Sequence, residues 1–177
     1  MAMDEISVDL DLKIPFTDIG FKIGGKWKPD ESERRAAWEL YVELVTRISV
    51  AELRPGEGLL REALSSLYSL FATTRGILRS YGPGIAQPKL GDSDLSFGYI
   101  AVTVLNVALR PVLSTWHPRL ADWEAKKPSD RSAMEHEQVW AHAEELRAGL
   151  NMLREELIDY ANLLADAARV PSLIVER

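Results

Sequence analysis

The sequence predicts a mainly α-helical protein, a bundle of about four long helices carrying a small N-terminal β-hairpin. Three observations lead there. Apolar residues recur at alternating steps of three and four over two long stretches, from Leu60 to Tyr81 and from Val139 to Ala167. The first strand-like segment, Ile6 to Ile14, alternates instead with period two. Clusters of Gly and Pro, Arg54-Pro55-Gly56 and Gly82-Pro83-Gly84, punctuate the helical stretches. A chain of 177 residues is long enough to bury one core, so a single domain over 1–177 is expected, with a hairpin at 1–25, helices over 30–169 and a C-terminal segment at 170–177.

In the hairpin, Ile6, Val8, Leu10, Leu12 and Ile14 face one way, and Ser7, Asp9, Asp11 and Lys13 the other. Pro15 to Asp18 turn the chain, Ile19, Phe21 and Ile23 resume the alternation, and Gly24-Gly25 is expected to end it. Two strands alone are marginal in water, so their apolar face must lean on the helices or on another chain. Asp30 and Glu33 are spaced as a capping box for a first helix with its stripe at Ala37, Tyr41, Leu44, Val45 and Ile48. The second helix takes Leu60, Leu64, Leu67, Phe71, Thr74, Leu78 and Tyr81 as its seam and stops at Gly82-Pro83-Gly84, followed by a loop through Asp94.

From Leu95 the third helix is apolar on nearly every face through Leu109, as a helix through the core would be. Pro111 and Pro118 each remove a helical hydrogen bond, which predicts a kink at Asn106–Arg110 and a break around His117, with Asn106 or Arg110 bonding the freed carbonyls. Lys126 to Pro128 connect to a fourth helix starting at Ser129 or at Ser132, the latter boxed with Glu135. Its seam runs through Val139, Ala143, Leu146, Leu150, Leu153, Leu157, Tyr160, Leu164 and Ala167. About 38 residues at ~1.5 Å each make a rod of roughly 57 Å. Such a rod outruns the other helices, so it either bends or shows part of its seam to another chain. Pro171 ends it, and Leu173 to Val175, high in β-propensity, are expected to add a third strand to the hairpin, within one chain or between two.

The net charge of -6 disfavours non-specific binding to DNA or to any phosphate backbone. Zero cysteines exclude disulfides, thiolate zinc sites and thiol nucleophiles, and suit a reducing cytoplasm. The N-terminus MAMDEISVDLDLK is acidic and alternating, unlike a secretory leader. The longest apolar run, Tyr99 to Leu109, is roughly half of the ~20 residues a membrane helix needs, so no membrane association is expected. His117, His136 and His142 lack the Glu-x-x-His spacing of di-iron bundles, and no metal or cofactor is expected.

Two constellations stand out. Arg75 and Arg79 lie one turn apart on the second helix, and with Asn106 and Arg110 they would bind an anion if the fold brings them together. The other lies within NVALRPVLSTWHPRLADW, where six residues separate Arg110 from His117. This spacing resembles the Arg-x(4–6)-His motif of HEPN domains, small all-helical bundles, many of them metal-independent ribonucleases. The resemblance covers eight residues, and Pro111 and Pro118 interrupt what is regular helix in that family. It implies that Arg110 would stabilise charge on a phosphate and His117 would move protons, with RNA as the substrate.

The residues themselves favour a non-catalytic interaction or assembly module, acting through a homo-oligomer or a protein partner. Its interface would include Ile6, Val8, Leu10, Leu12 and Ile174. A ribonuclease using Arg110 and His117, and a small anion-binding regulator, are the alternatives.

Overall fold

The computed structural model describes residues 5–47, 51–89 and 94–175. It is mostly helical, with a small two-stranded antiparallel sheet at the N-terminus. In chain order the elements are β1 (Ile6–Lys13), β2 (Gly20–Trp27), α1 (Glu31–Val45) and α2 (Leu60–Tyr81). They are followed by α3 (Phe97–Glu124), α4 (Ala133–Gln138) and α5 (Ala143–Ala168). A short 3₁₀ turn, Pro83–Ala86, follows the stop at Gly82. Helix α1 packs against α5 and α2, and β1 lies on α5, around one apolar core to which every element but α4 contributes.

The strands pair from Ile6 opposite Trp27 to Lys13 opposite Gly20, with Val8, Leu10 and Leu12 buried. Strand β2 does not end at Gly24-Gly25 but continues to Trp27. Glycine lets the strand pass this point: Gly25 takes a φ of +149°, which side chains rarely adopt, beside the Leu95 side chain. The extension carries the Trp27 ring into the core, where its indole N–H donates to Glu33 (3.2 Å). At the hairpin tip Phe16 takes a left-handed φ of 68°, and its ring packs over Gly149 and against Trp116 at 5.0 Å. Ile19 and Phe21 remain exposed there.

The capping box forms at α1: the Glu33 amide donates to Asp30, and the Glu33 carboxylate accepts from the Asp30 amide. Fully buried, the same carboxylate also accepts from the Phe97 amide (2.9 Å), tying β2, α1 and α3 together. Burial pushes its pKa up, against the pull of these N–H donors. Of the expected α1 stripe, Ala37, Tyr41 and Leu44 are buried and Val45 is partly buried, while Ile48 lies outside the described residues.

Helix α3 corrects the expected break around His117 and places a π turn where the kink was expected. A π turn occupies Val104–Leu109, and the helix then runs on through Pro118 to Glu124 without stopping at His117. The π turn solves the problem set by Pro111, because its wider ring gives the proline room against the preceding turn. The Arg110 amide bonds Leu105 O, five residues back, and the Asn106 and Arg110 side chains bond each other rather than freed carbonyls. By length and composition alone this 28-residue helix would suffice to cross a membrane, longer than the apolar run suggests. Here Ile100, Val104, Leu109, Val112 and Trp116 are core.

The expected 38-residue rod is two helices, not one. Helix α4 keeps the Ser132–Glu135 capping box and ends at Gln138, and α5 starts at Ala143 and spans 26 residues, shorter than α3. The turn between them exposes Val139 and buries Trp140, placing the Trp140 and His142 rings edge-on to Trp116 at 6.1 Å each. That cluster holds the chain off the helical path. The α5 seam from Leu146 to Ala167 is buried within the chain itself.

The third strand is also corrected: among the described residues the sheet has two strands. Arg169 adopts a left-handed φ of 59° at the end of α5, and the tail crosses α1, where the Leu173 amide donates to the Tyr41 hydroxyl. At the end of β1, where an extra strand would extend the sheet, the Lys13 amide donates to Glu156 of α5 (2.7 Å). The second Glu156 carboxylate oxygen is buried without a partner among the described residues, and burial pushes the pKa up to about 7.

Candidate anion-binding groove

Tyr68, Phe71 and Arg75 follow one another at steps of three and four, so they share one face of α2. Arg110, Leu113, Ser114, His117 and Pro118 do the same on α3, just beyond the π turn. A π turn holds one residue more than an α turn, so it sets which side of α3 faces α2 from Arg110 onward. The two faces enclose an open groove of about 500 Å³.

The Arg110 side chain is fixed at two points. Its Nε–H donates to Asn106 Oδ1 (2.9 Å), and its guanidinium lies 5.1 Å over the Phe71 ring. Arg75 stands one turn beyond Phe71 on α2, exposed at the same groove. No acidic residue lines the groove, and neither arginine has an ion pair among the described residues. Tyr68 bridges the two ends of the lining. Its ring lies 6.3 Å from Phe71 and edge-on to His117 at 5.8 Å, and it is 63% exposed.

His117 closes the far end. Its Nδ1 is 2.6 Å from a guanidinium nitrogen of Arg61, which can only donate, so Nδ1 accepts and the ring proton belongs on Nε2. Arg61 is held in turn by Glu124 at 2.9 Å. Nε2 is buried without a hydrogen-bond partner among the described residues. Burial first, and the Arg61 charge second, hold the His117 pKa below the ordinary histidine range, with Glu124 and the Leu64 backbone opposing. At neutral pH the ring is uncharged.

The fold thus brings Arg75, Arg110 and His117 to one groove, with Asn106 as the residue that orients Arg110. Arg79 is exposed one turn further along α2, outside the lining. Val8, Leu10 and Leu12 are buried in the chain's own core, and Ile6 and Ile174 are packed partly against it. Sequence reasoning missed Arg61, Glu124 and Tyr68 as parts of the site and assigned Phe71 to the core seam. For Tyr68 a signal existed: it is a large aromatic beside the seam rather than in it. For Arg61 there was none, because His117 and Glu124 lie 56 and 63 residues away in sequence. Among the described residues no group of three or more His, Asp or Glu side chains is arranged to hold a metal ion.

Compared with protein-family models, curated proteins and solved structures, the chain matches none.

Proposed function

We propose that this protein is a non-catalytic binding domain, a helical bundle whose α2–α3 groove takes an anionic ligand. One observation carries the reading: two guanidinium groups from different helices stand in one groove with no carboxylate to neutralise them. Arginine forks of this kind suit carboxylate or phosphate oxygens. The features that pointed to assembly are used inside the chain. The hairpin rests on α5, and the α5 seam is buried by the protein's own helices.

Binding is favoured over the ribonuclease reading by the state of His117. A proton carrier needs a ring nitrogen within reach of the substrate. Here one nitrogen is taken by Arg61 and the other is buried.

Titration with inorganic phosphate, followed by NMR shifts of side-chain and backbone signals, tests the proposal. The expected result is saturable shifts at Asn106, Arg110 and Arg75, lost in the Arg75→Ala/Arg110→Ala double variant. Equal shifts in that variant, or no shifts in the parent protein, would overturn it. RNA cleavage abolished by His117→Ala would move the assignment to the ribonuclease.

A further inference from the structure

We infer that the groove's ligand is a phosphomonoester carried on an aromatic ring, an inference that rests on the anion-binding reading above. The charge comes first. Arg75 and Arg110 supply two positive charges, no acid lines the groove, and His117, which accepts from Arg61 at Nδ1, adds none. A carboxylate would neutralise one of the two guanidinium groups and leave the other unmatched. A phosphomonoester, whose second pKa is about 6, carries close to two negative charges at neutral pH and matches both.

The geometry of Arg110 fits the same ligand. Asn106 takes its Nε–H, and Phe71 supports the flat of the guanidinium. Both Nη groups are left without a partner among the described residues, and a phosphate can accept two parallel bonds from one side of such a fork.

The rest of the lining calls for more than phosphate. Tyr68, Phe71, Leu113 and Pro118 make the wall largely apolar, and the groove's volume of about 500 Å³ is of the size that holds a small organic molecule. Bare phosphate would leave that wall wet. An aromatic ring attached to it would cover the wall and stack on the exposed Tyr68.

Calorimetric titration of the full chain with phenyl phosphate, inorganic phosphate, benzoate and phenol separates these elements. Phenyl phosphate is expected to bind at least ~10-fold tighter than each of the other three, the scale set by losing one charge-assisted bond or one stacked ring. Its affinity should fall as the pH drops through about 6, where the ligand loses its second charge. Tyr68→Ala should reduce phenyl phosphate to the level of inorganic phosphate, while Tyr68→Phe should retain the advantage. Phenyl phosphate no tighter than inorganic phosphate would overturn the aromatic part while leaving anion binding intact. Benzoate binding as tightly as phenyl phosphate would overturn the dianion. If no anion bound at all, the reading on which this rests would fall with it. A phosphotyrosine peptide distinguishes the sources: tighter binding than phenyl phosphate assigns a protein-borne ligand, and weaker binding a free one.

Discussion

At the joint between β2, α1 and α3 the Glu33 carboxylate is out of water and accepts from three N–H groups, whereas in the α2–α3 groove two guanidinium groups face water with no acid beside them. Glu156, between β1 and α5, lies between these cases: it is buried, but one of its oxygens has a single donor and the other has none among the described residues. A buried charge lacking partners lowers stability, while an exposed one costs the fold almost nothing. So the three sites should respond in graded fashion when their charges are removed, and the grading separates residues that hold the fold from residues kept for a ligand.

The largest effect is expected at Glu33. Replacing it with Ala leaves the Trp27 indole and the Phe97 and Asp30 amides without their acceptor in a closed interior. Removing one partner from such a buried charged network typically costs about 3–5 kcal/mol. Glu33→Gln keeps an acceptor oxygen and should lose roughly half of that. Urea unfolding at pH 7 measures both. A loss below about 1 kcal/mol for Glu33→Ala would show that the hairpin is held by apolar packing alone.

At Glu156 the effect takes the form of a pH dependence. Burial raises its pKa from the ordinary carboxylate value of 4.5 to about 7, so between those values the folded chain holds a proton that the unfolded chain has released. Stability must therefore fall as pH rises from about 4.5 to about 7 and level off above. The charges bearing on the group are Lys13 and Asp11 from β1 and Asp159 from α5, with the first opposing the shift and the two acids adding to it. The full decline is about 3–4 kcal/mol. Glu156→Gln should flatten this part of the profile and be more stable than the parent at pH 8. Parallel profiles for the two proteins would mean that the carboxylate is solvated in solution.

Much of the scaffold was legible because it is written in local patterns. The period-two alternation of Ile6 to Leu12, the boxes Asp30–Glu33 and Ser132–Glu135, and the seam of α5 all needed only neighbours in sequence. What stayed hidden depends on distant partners. Val139 continues the seam rhythm, so the break after Gln138 is invisible until Trp140 and His142 meet Trp116. Pro111 announced a disturbance at the right place, but not that it would take the form of a π turn. The tail's β-propensity counted for little once Tyr41 and Glu156 had placed the tail and the end of β1 elsewhere. In the groove, Arg75, Arg110 and His117 were recognisable by residue type. The Arg61–Glu124 pair that occupies His117 Nδ1 was not.

The smallest effect on stability belongs to the groove, and it is the sharpest test of the contrast. Arg75 and Arg110 are exposed and have no ion pair among the described residues, so removing them breaks no salt bridge and buries no unmatched charge. Arg110 does lose its contact with Phe71 and its bond to Asn106, both at the surface, where each contributes a few tenths of a kcal/mol to about 1. Arg75→Ala should therefore leave the unfolding free energy within about 0.5 kcal/mol of the parent, and the double variant with Arg110→Ala within about 1.5. Relief of repulsion between the two cations offsets part of that loss, and more so at low salt. The measurement is urea unfolding in 20 mM and in 500 mM salt. If the double variant fell by 3 kcal/mol or more, the arginines would be structural, and the groove would lose its claim to a ligand. If it stays close to the parent while phosphate binding disappears, the two charges serve binding and not the fold.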